Sequence, residues 1–296
     1  MKPLSGTLVV DFSRYLPGAF ASRELLELGA RVVCVEPPGG DPMRSTAPAW
    51  DAALRAGKES LELDLKQDPA RALELMREAD VVLESFRPGV ASRLGIGPEH
   101  ARESTVYCSI SGFGLSGRHE RRAGHDLNYL GWAGVLWDTA PALPPVQIAD
   151  FAAGALGAVT KILAALLERG RTGRGSHIVV SMTHGAHRLV AHRLGGEPVP
   201  RMLTGGLAYY RIYETADGRQ LTVAALEPTF FRRLTELLGR PELAERQLDT
   251  DQEALATELA AIFETRQLAE WLELFDTEDV CVGPVATIAE AAADWG

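Results

Sequence analysis

Strand-like and helix-like patterns alternate along the first part of the chain. Between the strand-like runs lie stretches with the apolar spacing of helices, such as residues 69–79. Such alternation predicts an α/β fold with a mostly parallel sheet, because parallel neighbours are joined by crossover helices that cover the sheet. The strand-like runs are residues 7–13, 31–37, 60–65, 81–86, 105–114 and 177–182.

The pattern changes at residues 195–198, where the sequence is Gly-Gly-Glu-Pro. Beyond this breaker, two β-rich runs meet at Asp217-Gly218, which is a strong signal for a hairpin. We therefore predict a large domain over residues 1–194, a small α+β domain over 195–285 and a C-terminal segment over 286–296. The predicted helices of the small domain are residues 229–238, 252–264 and 267–274, and residues 280–285 form its closing strand.

The chain carries a net charge of −10 at neutral pH. Because an acidic surface repels phosphate polymers and anionic lipids, we expect no nucleic acid and no membrane as a partner. Cys34, Cys108 and Cys281 are widely spaced and form no CxxC pair, which indicates a reducing compartment. The N-terminus lacks a signal-peptide core, and no apolar run approaches the ~18 residues of a membrane span. We therefore predict a cytoplasmic protein.

Several common catalytic motifs are missing from the sequence. It has no GxGxxG after the first strand, no GxxxxGK[ST] and no GxSxG, so dinucleotide, nucleoside-triphosphate and serine-hydrolase sites are not supported. His184, His187 and His192 lie close together, but their spacing does not match HExxH. We therefore predict no metal site.

Two side chains have the chemistry of acids and bases near neutral pH. His125 lies between a glycine and a helical pattern, so it is either a capping or packing residue or a general base. Asp150 begins a helical pattern over residues 150–169, so it is either an N-cap or a carboxylate placed beside a developing enolate. Glu227 lies between a predicted strand and Pro228, and by itself it is interpreted as a turn acid.

Basic residues lie in or near the loops of the large domain. Arg87 is the most suggestive, because it follows a predicted strand and precedes a helix, and ligands bind at the carboxyl ends of parallel strands. Each basic residue alone is interpreted as a solvated surface charge, whereas together they could bind phosphates. This candidate cluster comprises Arg44, Arg55, Lys58 and Arg87.

Motifs in a characteristic order then identify a family resemblance. LPGAFASRELLELGARVV, FRPGV, SGFG, GHDLNY, IADF and LEPTF follow one another between Leu16 and Val285, almost the whole chain. In these motifs the sequence resembles the class III CoA-transferase (CaiB/BaiF) superfamily, and most closely its α-methylacyl-CoA racemases. The resemblance implies a Rossmann-like large domain, a small domain and two interlocked subunits. It also implies an acyl-CoA thioester as substrate, with no cofactor other than the CoA that the substrate carries.

The resemblance assigns catalytic roles to the residues in the matching motifs. His125 and Asp150 would be the two bases that exchange the α-proton of a (2-methyl)acyl-CoA on opposite faces. Glu227 would orient His125, and the backbone N–H of Asp126 would hold the thioester oxygen. Tyr210 would line the acyl site. The residues implied to hold CoA are Arg87, Arg44, Lys58 and their neighbour Arg55.

Other reactions stay open at this point. A CoA transferase would use Asp150 as a nucleophile and form an acyl anhydride. A related acyl-CoA lyase and a non-catalytic acyl-CoA-binding protein are further alternatives. Relative to the family, the chain has shorter loops at residues 137–147 and 188–204 and a shorter C-terminal segment. Together with Trp132 and Trp137, these departures predict an altered acyl pocket and leave the usual dimer closure open.

Overall fold

The structure is a computed structural model that describes residues 2–199 and 201–295. The chain divides into two compact units between Leu194 and Gly195. Each unit has an apolar core made of its own residues.

The first unit is built on a six-stranded sheet in which every neighbouring pair is parallel. The strand order is β3-β2-β1-β4-β5-β6, so the direction of progression reverses between β1 and β4. This arrangement confirms the predicted parallel α/β fold. The strands are β1 (Leu8–Asp11), β2 (Arg31–Glu36), β3 (Glu59–Glu62), β4 (Val81–Glu84), β5 (Val106–Ser111) and β6 (His177–Ser181).

The central strands are apolar on both faces. Val9 and Val81 belong to one core cluster, whereas Val10 and Val82 belong to another, because successive side chains of a strand point to opposite faces. Helices on both sides of the sheet explain why the sequence of these strands is an unbroken apolar run. The helices of the first unit are α1 (Tyr15–Glu27), α2 (Met43–Thr46), α3 (Pro48–Arg55), α4 (Pro69–Glu78), α5 (Val90–Arg93), α6 (Asp126–Ala133), α7 (Gly157–Thr172) and α8 (Met182–Val190).

A π-helical segment, Ala149–Leu156, runs directly into α7. The sequence predicts one helix whose N-cap is Asp150, and this detail is wrong: Asp150 is the second residue of the π-helical segment. The side chain that accepts an N–H at this helix start is Asp126, which lies on another helix. Small residues let a neighbour approach closely here, since a Cβ on Gly154 would lie 2.9 Å from the Met182 side chain.

By length and composition the continuous helix Ala149–Thr172 could cross a membrane, with a mean hydropathy of 1.6 over its most apolar 18-residue window. Asp150 and Lys161 interrupt this helix, so it contains no unbroken run of ~18 apolar residues. One third (33%) of its most apolar 18-residue window is buried, and Ala158 and Ile162 lie in the core of the first unit. Arg169 near its end pairs with Asp80 just before β4. Within the first unit, the segment therefore serves as a core helix.

A buried ion-pair network lies at the carboxyl end of β2. The carboxylates of Glu36, Asp41 and Asp51 are almost inaccessible to solvent. Arg55 contacts all three of them, and its own side chain is only 16% exposed. Arg44 pairs with Glu36 at 2.8 Å and with Asp51 at 3.2 Å. Buried carboxylates cost free energy unless they are paired, so this part of the fold requires the two arginines.

The second unit contains a three-stranded antiparallel sheet in the order β7-β8-β9. Its strands β7 (Tyr210–Glu214) and β8 (Gln220–Ala224) form the predicted hairpin, and Gly218 in the turn has φ = 69°. Strand β9 is Val282–Pro284. The helices of this unit are α9 (Pro228–Leu237), α10 (Gln252–Phe263), α11 (Leu268–Phe275) and α12 (Ile288–Trp295).

The Arg55→Ala substitution tests the ion-pair network. Three buried carboxylates would lose a shared partner, so we expect the free energy of unfolding to fall by about 3 kcal/mol in urea titrations. Arg71→Ala is the matched control, because Arg71 forms a single exposed pair with Glu74, and we expect a change within about 0.5 kcal/mol. Equal effects of the two substitutions would contradict a structural role of the network.

A pair of glycine substitutions tests the packing after α7. A Cβ on Gly175 would lie 2.0 Å from the Thr105 carbonyl oxygen, whereas a Cβ on Gly170, inside α7, would meet no atom within 4 Å. We expect Gly175→Ala to destabilise the protein by about 2 kcal/mol or more through overpacking. Gly170→Ala should stabilise it by about 0.5–1 kcal/mol, because alanine favours a helix. Thermal unfolding of both variants measures the difference, and a neutral Gly175→Ala would contradict this packing.

Candidate active site

A cavity of about 640 Å³ opens at the carboxyl edge of the parallel sheet. It lies beside the point where the strand order reverses, which is where ligands bind in open α/β sheets. Three loops that the sequence singles out line it together: residues 14–17 after β1, 85–88 after β4 and 112–113 after β5. The carboxyl ends of parallel strands meet at one edge, and this brings the three loops together.

The loop after β1 has an unusual backbone. Tyr15 has φ = 63°, a left-handed conformation that costs free energy for a residue with a side chain. The buried carboxylate of Asp41 accepts the Tyr15 backbone N–H at 3.2 Å and so helps to hold this conformation. The Arg14 guanidinium donates to the carbonyl oxygens of Phe12, Ser13 and Val35. Arg14 therefore supports the loop through its side chain, and Tyr15 is presented at the cavity.

His125 occupies the position just before α6 and lines the cavity. Its backbone N–H donates to Asn128 Oδ1 at 3.1 Å, in the manner of a capping box. The Tyr129 hydroxyl donates to the Gly124 carbonyl oxygen. These two contacts fix the backbone on both sides of the imidazole, while the residue itself stays exposed to the cavity.

Asp150 lines the same cavity from the π-helical segment. Burial raises the pKa of its carboxyl to about 7, and the negative charge of Asp126 acts in the same direction. Burial also raises the pKa of Asp126, although N–H groups of Ala149 and Asp150 oppose that shift. A pKa near neutrality suits a group that both takes and gives a proton.

Of the predicted CoA-binding residues, one lines the cavity and three contact other groups. Arg87 lines the cavity, and within residues 2–199 and 201–295 no carboxylate pairs with it. Arg44 and Arg55 face the carboxylates of the buried network instead of the cavity. Lys58 Nζ donates to Ala19 O and Ser22 Oγ, both at 2.7 Å, and burial lowers the pKa of its amine. A direct role of these three residues in CoA binding stays a prediction.

Glu227 and Tyr210 belong to the second unit. Glu227 is exposed and directly precedes α9, whose first residue is Pro228. Tyr210 is half-buried at the start of β7, and its backbone N–H donates to the Leu207 carbonyl oxygen at 3.1 Å. Their predicted roles, orienting His125 and lining the acyl site, stay predictions.

Sequence reasoning missed several residues of the cavity. Asn128 lies three positions after His125, and this spacing is the signal by which a capping box could have been found. Tyr129 and Trp50 also line the cavity. Tyr129 is the last residue of the GHDLNY motif, whereas Trp50 lies in no motif. For the part of the chain that the structure describes, no group of three or more His, Cys, Asp and Glu side chains is arranged to hold a metal ion.

The whole chain is similar to proteins of one known family. A family model described as CoA-transferase family III matches residues 4–295. The α-methylacyl-CoA racemase of Homo sapiens is 38% identical over 97% of this chain and 78% of its own length. The acetyl-CoA:oxalate CoA-transferase of Acetobacter aceti is 32% identical over 98% of this chain and 82% of its own length.

Solved structures agree with the sequence comparison. The crystal structure of the hypothetical protein Rv3272 from Mycobacterium tuberculosis matches with a TM-score of 0.85 and 30% identity, covering 99% of this chain and 86% of that one. A CaiB/BaiF family protein from Brucella suis matches with a TM-score of 0.81 and 30% identity, over 99% and 86% of the two chains. The chain therefore belongs to CoA-transferase family III.

Proposed function

We propose that the protein is an acyl-CoA racemase or epimerase that moves the proton on the α-carbon of a thioester. The observation that carries this proposal is the pairing of an imidazole, His125, with a carboxyl of pKa about 7, Asp150, on one cavity. Inverting the α-carbon requires one group that removes a proton and another that supplies a proton from the opposite face. The likeness to α-methylacyl-CoA racemase supports the same reaction.

The proposed reaction balances without a further reactant. In one direction, His125 takes the α-proton, and the electron pair moves into the thioester carbonyl to give an enolate. Asp150 then returns a proton to the other face of the carbon. In the opposite direction the two residues exchange roles, so each must be found in both protonation states near neutral pH.

The enolate oxygen needs a positive partner as its charge develops. Asp126 is the first residue of α6, where the backbone N–H groups have no partner within the helix and the helix dipole is positive. We propose that the Asp126 N–H donates to the thioester oxygen, which is the role that the family resemblance assigns to it. The Arg87 guanidinium, which faces the cavity, is the proposed contact for a CoA phosphate.

A CoA transferase is the second candidate, because the Acetobacter aceti relative carries that name. In that reaction the Asp150 carboxylate attacks the thioester carbonyl, the C–S bond breaks and CoA leaves as a thiolate, with an acyl anhydride left on the enzyme. Only the ionised carboxylate is a nucleophile. Burial raises the pKa of the Asp150 carboxyl towards neutrality, and this supports a role in which the carboxyl both takes and gives a proton.

Three further statements about the protein stay predictions from the sequence. They are the interlocked homodimer, the cytoplasmic location and the absence of a cofactor apart from the CoA of the substrate. An acyl-CoA substrate is consistent with the family to which the chain belongs.

Deuterium exchange at the α-carbon tests the proposed reaction. We expect the protein to exchange the α-hydrogen of both enantiomers of a 2-methylacyl-CoA in D₂O, with loss of chirality. His125→Ala should lower exchange from one enantiomer by at least about 100-fold, and Asp150→Asn should do the same for the other, because each base serves one face. Mass spectrometry and chiral chromatography measure the two effects.

His100→Ala is the control, because His100 is exposed and lies beside Glu99 outside the cavity. This variant should exchange the α-hydrogen of both enantiomers at the rate of the parent protein. Equal exchange from both enantiomers by His125→Ala would contradict the proposed role of His125. Transfer of CoA from the 2-methylacyl-CoA to added oxalate, without exchange of the α-hydrogen, would contradict the racemase proposal and support the transferase.

A second test uses stability instead of activity. An unfolded aspartate has a pKa of about 4, so folding raises the pKa of Asp150 and the protein takes up a proton as it folds. The folded state therefore loses stability as the pH rises from about 4 to about 7, and the cost persists above that window. Asparagine cannot ionise, so Asp150→Asn should be more stable than the parent at pH 8 and equal to it at pH 4.

Full burial would make this difference about 4 kcal/mol, and we expect about 2 kcal/mol because the carboxyl reaches solvent through the cavity. Urea unfolding at the two pH values measures it. Asp249→Asn is the control, because Asp249 is an exposed aspartate in a surface pair with Arg246, and it should gain no stability as the pH rises. A variant of Asp150 that is less stable than the parent at pH 8 would contradict a costly buried carboxyl.

A further inference from the structure

The side chain of Asp126 connects the two candidate acid/base residues. Asp126 directly follows His125 in the chain, and its Oδ1 accepts the backbone N–H of Asp150 at 2.9 Å, across 24 positions of sequence. The family resemblance gives a role only to the backbone N–H of Asp126. No step of the proposed reaction involves this contact of the Asp126 carboxylate.

This contact determines where Asp150 lies. The first N–H groups of a helix have no carbonyl partner within it, so they take a partner from elsewhere. At the start of the π-helical segment, the residue before it, Ile148, provides no side-chain cap, and the acceptor is a carboxylate on α6. The residue next to His125 thus holds the backbone of Asp150 directly, and α6 cannot shift without affecting both acid/base groups.

The same contact brings two carboxyl groups close together. Like charges at short range oppose each other's ionisation, and more strongly where solvent is partly excluded. The charged and titratable groups that line the cavity with Asp150 are Arg14 and Tyr15 at the start of α1, Arg87 after β4, Glu120 and Arg122 after β5, and His125 and Tyr129 at α6.

We propose that the Asp126 carboxylate is a positioning residue that fixes Asp150 against His125 and opposes ionisation of the Asp150 carboxyl. This inference rests on the proposed function and adds a residue that tunes the acid without touching the substrate through its side chain. A neutral acceptor at position 126 would keep the hydrogen bond but lose the charge, and Asp150 would then be ionised over more of the neutral range. Proton return by Asp150 would become slower at neutral pH.

The experiment follows the Asp150 carboxyl by carbon-13 NMR of aspartate-labelled protein, without substrate. Asp150→Asn identifies the resonance, because that signal disappears. In Asp126→Asn we expect the titration midpoint of Asp150 to fall by about one pH unit, since one nearby negative charge is removed. In Asp126→Ala the hydrogen bond is lost as well, so we expect the Asp150 amide to exchange with solvent faster than in Asp126→Asn.

Glu120→Gln is the matched control. It removes a carboxylate from the same cavity, but this carboxylate lies beside Arg121 and is not the acceptor of the Asp150 amide. The midpoint of Asp150 should stay unchanged in this variant. An equal fall in Glu120→Gln and Asp126→Asn, or no change in Asp126→Asn, would overturn the proposal.

If the substitutions at position 126 unfold the protein, the titration of the Asp126 resonance in the unaltered protein tests the proposal instead. Coupled carboxyls titrate together, so the Asp126 resonance should show a second inflection at the midpoint of Asp150. Two independent titrations would overturn the proposal. These spectra need no substrate, so they test this inference independently of the racemase proposal. The α-hydrogen exchange of the substrate can be absent while the two carboxyls are coupled, and it can be present while they are not.

Discussion

The parallel arrangement of the first sheet is the constraint on which the candidate site depends. All six strands run in one direction, so the loops after β1, β4 and β5 emerge at the same edge. The strand order reverses between β1 and β4, and the crevice left there is large enough to hold a ligand. Residues that are distant in sequence, such as Tyr15, Arg87 and Asp150, line one cavity for this reason.

An acidic chain that is to bind an anionic thioester has to neutralise its own charges near the site. Glu36, Asp41 and Asp51 are buried beside the first loop, and Arg44 and Arg55 compensate them. Asp41 pairs with Arg55 and also accepts the backbone N–H of Tyr15, so charge compensation and loop geometry are linked. The Arg87 guanidinium, which pairs with no carboxylate in the described ranges, is one of the positive charges that the cavity can offer to a phosphate.

The sequence predicted most of the fold but only part of the site. Apolar periodicity gave the strands and the hairpin at Gly218, because those patterns are local. Partners that come from other elements could not be found this way. Asp126 takes the place predicted for Asp150 as the side-chain acceptor at the helix start, and Glu36 pairs with Arg44. A basic residue near a loop is a candidate for phosphate binding only until the fold shows whether a carboxylate lies beside it.

The position of Asp150 balances two requirements that pull in opposite directions. A deeply buried carboxyl would stay protonated and could not act as a base, whereas a fully solvated one would ionise and could not return a proton at neutral pH. Partial burial in the π-helical segment places its pKa at about 7, between these limits. The wide turn of that segment and the small residues Ala153 and Gly154 behind it let the helix start pack closely while Asp150 still reaches the cavity. The stability lost to this carboxyl is therefore a consequence of the same geometry that suits it to the proposed proton transfer.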